Sequence, residues 1–141
     1  MGLSLSGQAA VVGIGATEFS KESGRSELQL SVEAVRSALL DAGLEPADVD
    51  GLVTFTMDTS SEVAVARELG IPELRFFSRV NYGGGAACGT VLHAVMAVAT
   101  GVADVVVCYR GFNERSGNRF GQVSVAAATL VNTNGLDNAW T

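Results

Sequence analysis

The chain has 141 residues, of which 48% are apolar and 17% charged, and it carries a formal charge of −6. That is enough apolar residue for one domain with a packed core and too little charge for a disordered segment. The acidic balance speaks against nucleic acid as a partner, because phosphate neutralisation needs clustered Lys and Arg; an anionic small ligand held by backbone N–H groups or one local Arg stays open.

Ala9 to Ala16, AAVVGIGA, reads as a buried strand with a glycine-bearing end. Gly13-Ile14-Gly15 opens like a dinucleotide fingerprint, but Glu18 stands where the third glycine belongs and no helix pattern follows. The plainer reading is that these glycines let the backbone turn or pack closely. Ser26 to Ala42 is predicted to be a helix: Ser26 and Gln29 have capping-box spacing, Leu28, Val32, Val35 and Leu39 form one stripe, and Gly43 closes it. Glu33 and Arg36 fall elsewhere around it and read as a solvated face. Asp48 to Gly51 turns into a short strand, Leu52 to Thr56, and Glu62 to Leu69 is a short helix that starts at Ser61 and ends at Gly70. Leu74 to Val80 is the next strand, with Phe76 and Phe77 on opposite faces as core or subunit-interface residues.

The chain is organised around Arg79 to Gly111. A strand ends at Val80-Asn81, Gly83-Gly84-Gly85 turn, and a helix over about Gly85 to Thr100 leads to a strand at Val105 to Tyr109. A glycine turn feeding a helix leaves backbone N–H groups unpaired at the positive end of the helix dipole, a suitable place for a carbonyl oxygen, an enolate or a phosphate. The helix is apolar around nearly its whole circumference, which predicts burial on all sides, as a layer between two sheets. The uncharged run from Gly83 to Ala103 is long enough for a bilayer, but its three glycines and Thr90, His93 and Thr100 make it a helix buried in protein and no membrane span. Beyond it, Gly111 to Asn118 is a polar loop, Phe120 to Val131 is apolar without a clear period, and Thr133-Asn134-Gly135 is turn chemistry.

The two cysteines, Cys88 and Cys108, have neither metal-ligand spacing nor a disulfide framework, so no metal and a reduced, cytoplasmic setting are expected. Cys88, beside Ala87 and Val91, is expected to be a buried or pocket-lining thiol, and Cys108, in a Val-rich strand, to lie in the core. His93, the only histidine, reads as a satisfied core residue.

Three patterns in order carry a resemblance. They are Ala42-Gly43-Leu44 with Asp48 to Val53, Val80-Asn81 before the glycine turn, and Gly101-Val102-Ala103-Asp104-Val105 after the helix. Together they resemble the N-terminal half of the thiolase superfamily, over roughly Ala9 to Gly111. The resemblance implies an α/β, thiolase-like fold: a layered αβα arrangement with a central buried helix. It also implies that residues 1–141 are the N-terminal thiolase-like domain of a longer protein, with 112–141 opening a loop insertion.

Thiolases and ketoacyl synthases carry a nucleophilic cysteine three residues after that asparagine; here that position is Gly84, and Cys88 lies four residues further on. Tyr82-Gly83-Gly84-Gly85-Ala86-Ala87-Cys88-Gly89 is similar to the run in the lipid-transfer-protein, sterol carrier protein X-like branch, closest to the steroid side-chain-cleaving aldolases. The resemblance implies retro-aldol cleavage of a steroid β-hydroxyacyl-CoA to a ketosteroid and a shorter acyl-CoA such as propionyl-CoA. No cofactor is implied, only coenzyme A as part of the substrate. The family's acid/base tyrosines lie in its C-terminal half; neither Tyr82 nor Tyr109 matches them, so the catalytic residues are not identified in this chain. Asn81, Gly83, Gly84, Gly85 and Cys88 are the candidate substrate-pocket residues. The implied partners are a second copy, paired through the Leu74 to Val80 strand, and the OB-fold domain of a hydratase. By the same resemblance, the half-fold alone leaves one face of its central helix bare and inactive without what covers it. Two other readings stay open: a thiolase or acyl-transferring condensing enzyme that uses Cys88, and a non-catalytic thiolase-like scaffold subunit.

Overall fold

In the computed structural model of the chain, residues 4–55, 60–81 and 87–113 are described. The chain divides into two compact units, Met1–Phe19 with Arg25–Phe112, and Ser20–Gly24 with Asn113–Thr141. All the regular elements described lie in the first unit. In the second, the Glu22 N–H donates to Ser20 Oγ at 3.1 Å. The stretch Phe120 to Val131, the Thr133-Asn134-Gly135 turn and the loop insertion from 114 onward lie outside the described residues.

Helix α1 spans Glu27–Ala42. Its start is set locally: the Gln29 N–H donates to Ser26 Oγ at 3.1 Å, and the Ser26 N–H donates to Gln29 Oε1 at 2.8 Å. Each bond satisfies a backbone donor that the first helical turn leaves open. Its end is Gly43, at φ 68°. Strand β1 is Gly51–Phe55, helix α2 is Glu62–Leu69 between a Ser61 cap and Gly70, and strand β2 is Phe76–Val80. Ala87 and Cys88 lie in a tighter 3-10 turn, helix α3 runs from Gly89 to Ala99, and strand β3 is Val106–Cys108.

The three strands form a parallel sheet in the order β2-β1-β3. Gly51 stands opposite Phe76 on one side and Val106 on the other. The two faces of the sheet are distinct. Leu52 and Tyr109 join Val35 and Leu39 of α1 and Val65, Ala66 and Leu69 of α2 in one hydrophobic core. The opposite face carries α3: His93 meets Ser78 of β2, the Cys108 thiol of β3 meets the Thr90 carbonyl, and Gly89 lies against Val80. The α/β layering expected from the sequence is therefore present, with α1 and α2 on one face and α3 on the other.

Two expectations are corrected. Ala9 to Ala16 has no regular structure and makes no strand pairing among the described residues, and it is not buried: Val11 is 79% and Ile14 78% exposed. What holds it is close packing on α1. A side chain at Gly13 would run into the Ala38 carbonyl and Ala42, and one at Gly15 into the Ala34 carbonyl and Ala38 N–H. The Ile14 N–H donates to Asp41 at 2.9 Å, and Arg25 bridges Glu18 and Glu33. The plainer reading of these glycines, close approach, is the one the structure bears out. Second, α3 is not buried all round. Only Ala97 is fully buried, while Val91, Leu92 and Met96 are 49%, 51% and 40% exposed. One sheet covers one face of an apolar helix, and among the described residues the other face is exposed.

The starting edge of the sheet is tied by one carboxylate. Asp50, with a side chain only 15% exposed, accepts from the Asp104 N–H at 3.0 Å and the Val105 N–H at 2.9 Å, and pairs with Arg75 Nη1 at 3.1 Å. Its own carbonyl accepts from Arg75 and Phe76, and its N–H donates to Val105. Asp50 thus joins the entry of β1 to the entries of both neighbours. Asp50→Ala is expected to lower stability by about 2–3 kcal/mol, because it removes charge-assisted hydrogen bonds and leaves two N–H groups unpaired. Asp50→Asn, which keeps an acceptor, recovers part of the loss. Urea unfolding of the three proteins measures both.

Candidate active site

Asn81 and Cys88, the sequence candidates that are described, lie at the opposite edge, where the parallel strands end. In a parallel α/β sheet that edge is where ligands bind, because strand ends and helix N-termini converge there. The strand order also reverses there: the chain passes from β1 outward to β2, then crosses to β3 on the far side of β1. In this order the switch point falls between β1 and β3.

Of the sequence candidates, Asn81 is exposed directly after β2, and Cys88 is exposed at the start of α3. Both are at the edge where the strands end, on strand and helix ends joined by the glycine turn in sequence. Gly83, Gly84 and Gly85 lie outside the described residues, as does Tyr82. Of the two readings of Cys88, a buried or a pocket-lining thiol, the buried one is corrected. The regular helix begins one residue after it, so its side chain belongs to the rim and not to the helix body. The expectation that Cys108 is core is corrected as well. Its strand neighbours are valines, but alternation turns Cys108 to the α3 face near the strand's end, where it remains exposed. Its thiol still sits close against protein, which pushes its pKa up, and it donates to the Thr90 carbonyl at 3.5 Å.

His93 is half-buried, with Nδ1 2.7 Å from Ser78 Oγ, so it is a satisfied residue tying α3 to β2. Tyr109 is buried, and its hydroxyl donates to the Ser60 carbonyl at 2.9 Å, a structural use that agrees with giving it no acid/base role. The Glu62 carboxylate, in the first turn of α2, takes Arg79 Nε at 3.3 Å and Nη2 at 3.1 Å and neutralises that guanidinium on the α2 face.

Sequence reasoning passed over Arg110. Its guanidinium carbon lies 5.3 Å from the centre of the Phe55 ring and 4.4 Å from that of Phe112. The signal that would have found it is strand alternation carried beyond Cys108: residues 106, 108 and 110 face α3, and Arg110 comes abreast of Phe55. Among the described residues no group of three or more His, Cys, Asp or Glu side chains is placed to hold a metal ion, and no helix is long and apolar enough to cross a membrane.

This arrangement, three parallel strands with the apolar helix α3 across one face, is that of thiolase-like proteins. The chain superposes on a monomeric SCP2-thiolase-like protein from Mycobacterium smegmatis with a TM-score of 0.56 and 26% identity, over 69% of this chain and 22% of that one. At the level of the particular protein, it is 69% identical over 136 residues to a 17-hydroxy-3-oxo-4-pregnene-20-carboxyl-CoA lyase of Mycobacterium tuberculosis, covering 96% of this chain and 35% of that protein. It is 76% identical over 117 residues to a steroid side-chain-cleaving aldolase of Thermomonospora curvata, covering 83% of this chain and 30% of that protein. The solved structure of an Ltp2-ChsH2(DUF35) aldolase matches with a TM-score of 0.75 and 69% identity, over 90% of this chain and 33% of that one. No protein-family model matches. The resemblance to the steroid side-chain-cleaving aldolases within the thiolase-like fold is borne out, and the chain spans about a third of the length of these relatives.

The raised Cys108 pKa gives a pH prediction. The folded state holds this proton more tightly than the unfolded chain, so stability falls as pH rises past the unfolded thiol value of about 8.5. The loss continues until the folded value is passed. Cys108→Ala is expected to remove that slope, as read from urea midpoints taken between about pH 8 and pH 10.

Proposed function

We propose that the chain is the N-terminal part of an aldolase that cleaves a steroid β-hydroxyacyl-CoA by a retro-aldol reaction, giving a ketosteroid and propionyl-CoA. The observation that carries this is the 69% identity with a lyase named for such a substrate. The name of that relative's substrate already contains the reaction. A hydroxyl on C17 and a carboxyl-CoA on C20 place the hydroxyl β to the thioester carbonyl. A base takes the hydroxyl proton, the C17–C20 bond breaks, and its electron pair passes into the thioester as an enolate. Protonation of the enolate gives propionyl-CoA, and C17 leaves as a ketone. No acyl-enzyme forms, so glycine at position 84, where thiolases hold a cysteine, is compatible with the chemistry. What the reaction needs is a base and donors for the enolate oxygen. In this reading Asn81, Gly83, Gly84, Gly85 and Cys88 line the pocket, and the acid/base groups come from beyond residue 141.

The partners follow the same reading. Residues 112–141 open a loop insertion, and the rest of the longer protein covers the bare face of α3. A partner with an OB-fold domain takes the place that the DUF35 component has in the matching aldolase complex. A second copy pairs along β2, the edge strand of the sheet among the described residues. Phe77, 63% exposed on that edge strand, fits an interface side chain. The reaction takes place in the cytoplasm.

Exposure of Cys88 at the start of α3 is the one observation that favours a thiolase, so the test is built on it. The full-length protein with its OB-fold partner is incubated with the steroid β-hydroxyacyl-CoA, and products are read by mass spectrometry. The expected result is ketone plus propionyl-CoA from wild type and Cys88→Ala, at rates within about threefold, since the side chain touches the pocket but takes no covalent part. Cleavage by wild type alone makes Cys88 the nucleophile. No cleavage by either, with the partner bound, makes the chain a scaffold. For the dimer, Phe77→Glu is expected to weaken self-association at least about tenfold in sedimentation of the full-length protein.

A further inference from the structure

We infer that Glu62 is a positioning residue for the candidate active site: through Arg79 it fixes the end of β2, the strand from which Asn81 and the glycines after it leave the sheet. This rests on the aldolase reading above and deepens it. The argument begins with how β2 is held. Ser78 and Val80 face α3, through His93 and Gly89, so alternation turns Phe77 and Arg79 to the α1 and α2 face. Leu74, ahead of the strand, packs against the core, but Phe77 is exposed. Apolar packing on this face therefore stops before the strand's end, and β2 is an edge strand of the sheet among the described residues.

At the strand's end the tie is ionic. The Arg79 side chain donates through Nε at 3.3 Å and Nη2 at 3.1 Å to the two carboxylate oxygens of Glu62. Two charge-assisted bonds between planar groups fix direction as well as distance. Glu62 is 7% exposed, so its carboxylate has little water to turn to if the arginine swings away. Separating such a pair leaves a buried charge uncompensated, which holds the two side chains together.

Glu62 can act as a fixed point because of what stands behind it. It opens α2, whose Val65, Ala66 and Leu69 lie in the core, and the Ala64 N–H donates to the Ser61 cap at 3.2 Å. Ser60, just ahead of that cap, is buried, and its carbonyl accepts from the Tyr109 hydroxyl at 2.9 Å. Tyr109 is bonded to β1 in turn: its N–H donates to the Val53 carbonyl at 3.0 Å, and its carbonyl accepts from Thr54 Oγ1 at 3.2 Å. Thr54, Ser60 and Glu62 are all buried, and each serves this one chain of contacts. The start of α2 is thus set by the exits of β1 and β3, and Glu62 carries that reference to the exit of β2. Thr54 and Arg79 are also partners across the β1-β2 pair. In the proposed reaction the thioester oxygen gains its charge in the transition state, so donors displaced by about 1 Å cost rate and not binding.

The test uses the full-length protein with its OB-fold partner and a steroid β-hydroxyacyl-CoA. Glu62→Gln keeps the shape and turns one acceptor into a donor that faces the guanidinium. It is expected to lower kcat about 10- to 100-fold with KM within about threefold. Amide hydrogen exchange on the same proteins is expected to quicken at least about tenfold over the end of β2 and Asn81, and to stay unchanged in β1 and β3. Arg79→Lys, which keeps the charge without the paired bonds, is expected to fall between, and gives both readouts if Glu62→Gln does not fold. A merely structural role quickens exchange in all three strands; that result overturns the inference, as does an unchanged kcat or a rise in KM at constant kcat. If wild type cleaves nothing, the aldolase reading fails and exchange decides alone. Quickening confined to the end of β2 then still supports the clamp, and uniform or absent quickening removes it.

Discussion

The sheet depends on Asp50. A parallel strand cannot find its register through a tight turn, because each connection is a helix that allows several offsets. Asp50 removes that freedom at the starting edge. Its carboxylate and backbone together engage Arg75 and Phe76 at the entry to β2 and Asp104 and Val105 at the entry to β3. Arg75 closes the circle by reaching Asp104 and the Gly101 carbonyl, where α3 has just ended. With the entries level, the exits are level as well, five residues on, where Phe55, Val80 and the start of the β3 exit meet. Residues that could act together at the far edge are aligned by an ion pair that is nowhere near them.

From that alignment the two faces follow by alternation alone. Leu52 and Tyr109 complete the core that α1 and α2 close. Ser78, Val80 and Cys108 point the other way and receive α3 through His93, Gly89 and Thr90. α3 has apolar side chains on the side that the sheet does not reach, and Val91, Leu92 and Met96 show it. Their exposure is a property of composition. No arrangement of one three-stranded sheet can cover a helix that is apolar on every side.

The sequence was most legible where the determinants are local. Ser26 with Gln29 and Gly43 delimits α1 to the residue, and Ser61 with Gly70 does the same for α2, because a cap is satisfied by atoms a few residues away. β2 and β3 fall within the runs that composition marks, one or two residues shorter at an end, and β1 is the predicted run shifted back by one residue to Gly51–Phe55. Legibility failed where the determinant is distant. Ala9 to Ala16 has the composition of a strand, yet whether it pairs is decided by what lies beside it, and beside it lies α1. Cys108 was assigned to the core by its valine neighbours, although its face of the sheet was what mattered. Cys88 was placed inside a helix whose regular part starts after it. Arg110 was passed over because Phe55, the ring beside it, is remote in sequence and adjacent only in the sheet.

Cys88 and glycine at position 84 bear on chemistry together. A nucleophile at the thiolase position works by forming a bond to the acyl carbon, so the enzyme must bring that carbon onto the sulfur. In the proposed retro-aldol cleavage the acyl carbon bonds to nothing on the protein; only its oxygen gains charge. The demand on the helix start then changes from a reactive side chain to backbone donors and space, and glycine supplies both without a side chain that would approach the substrate. A thiol left at Cys88, on the rim, costs the reaction nothing as long as it does not attack. Glycine at position 84 and a thiolase-like fold are therefore consistent with one another: the strand-end edge and the helix dipole serve an enolate-forming reaction on a coenzyme A thioester, and neither depends on a cysteine.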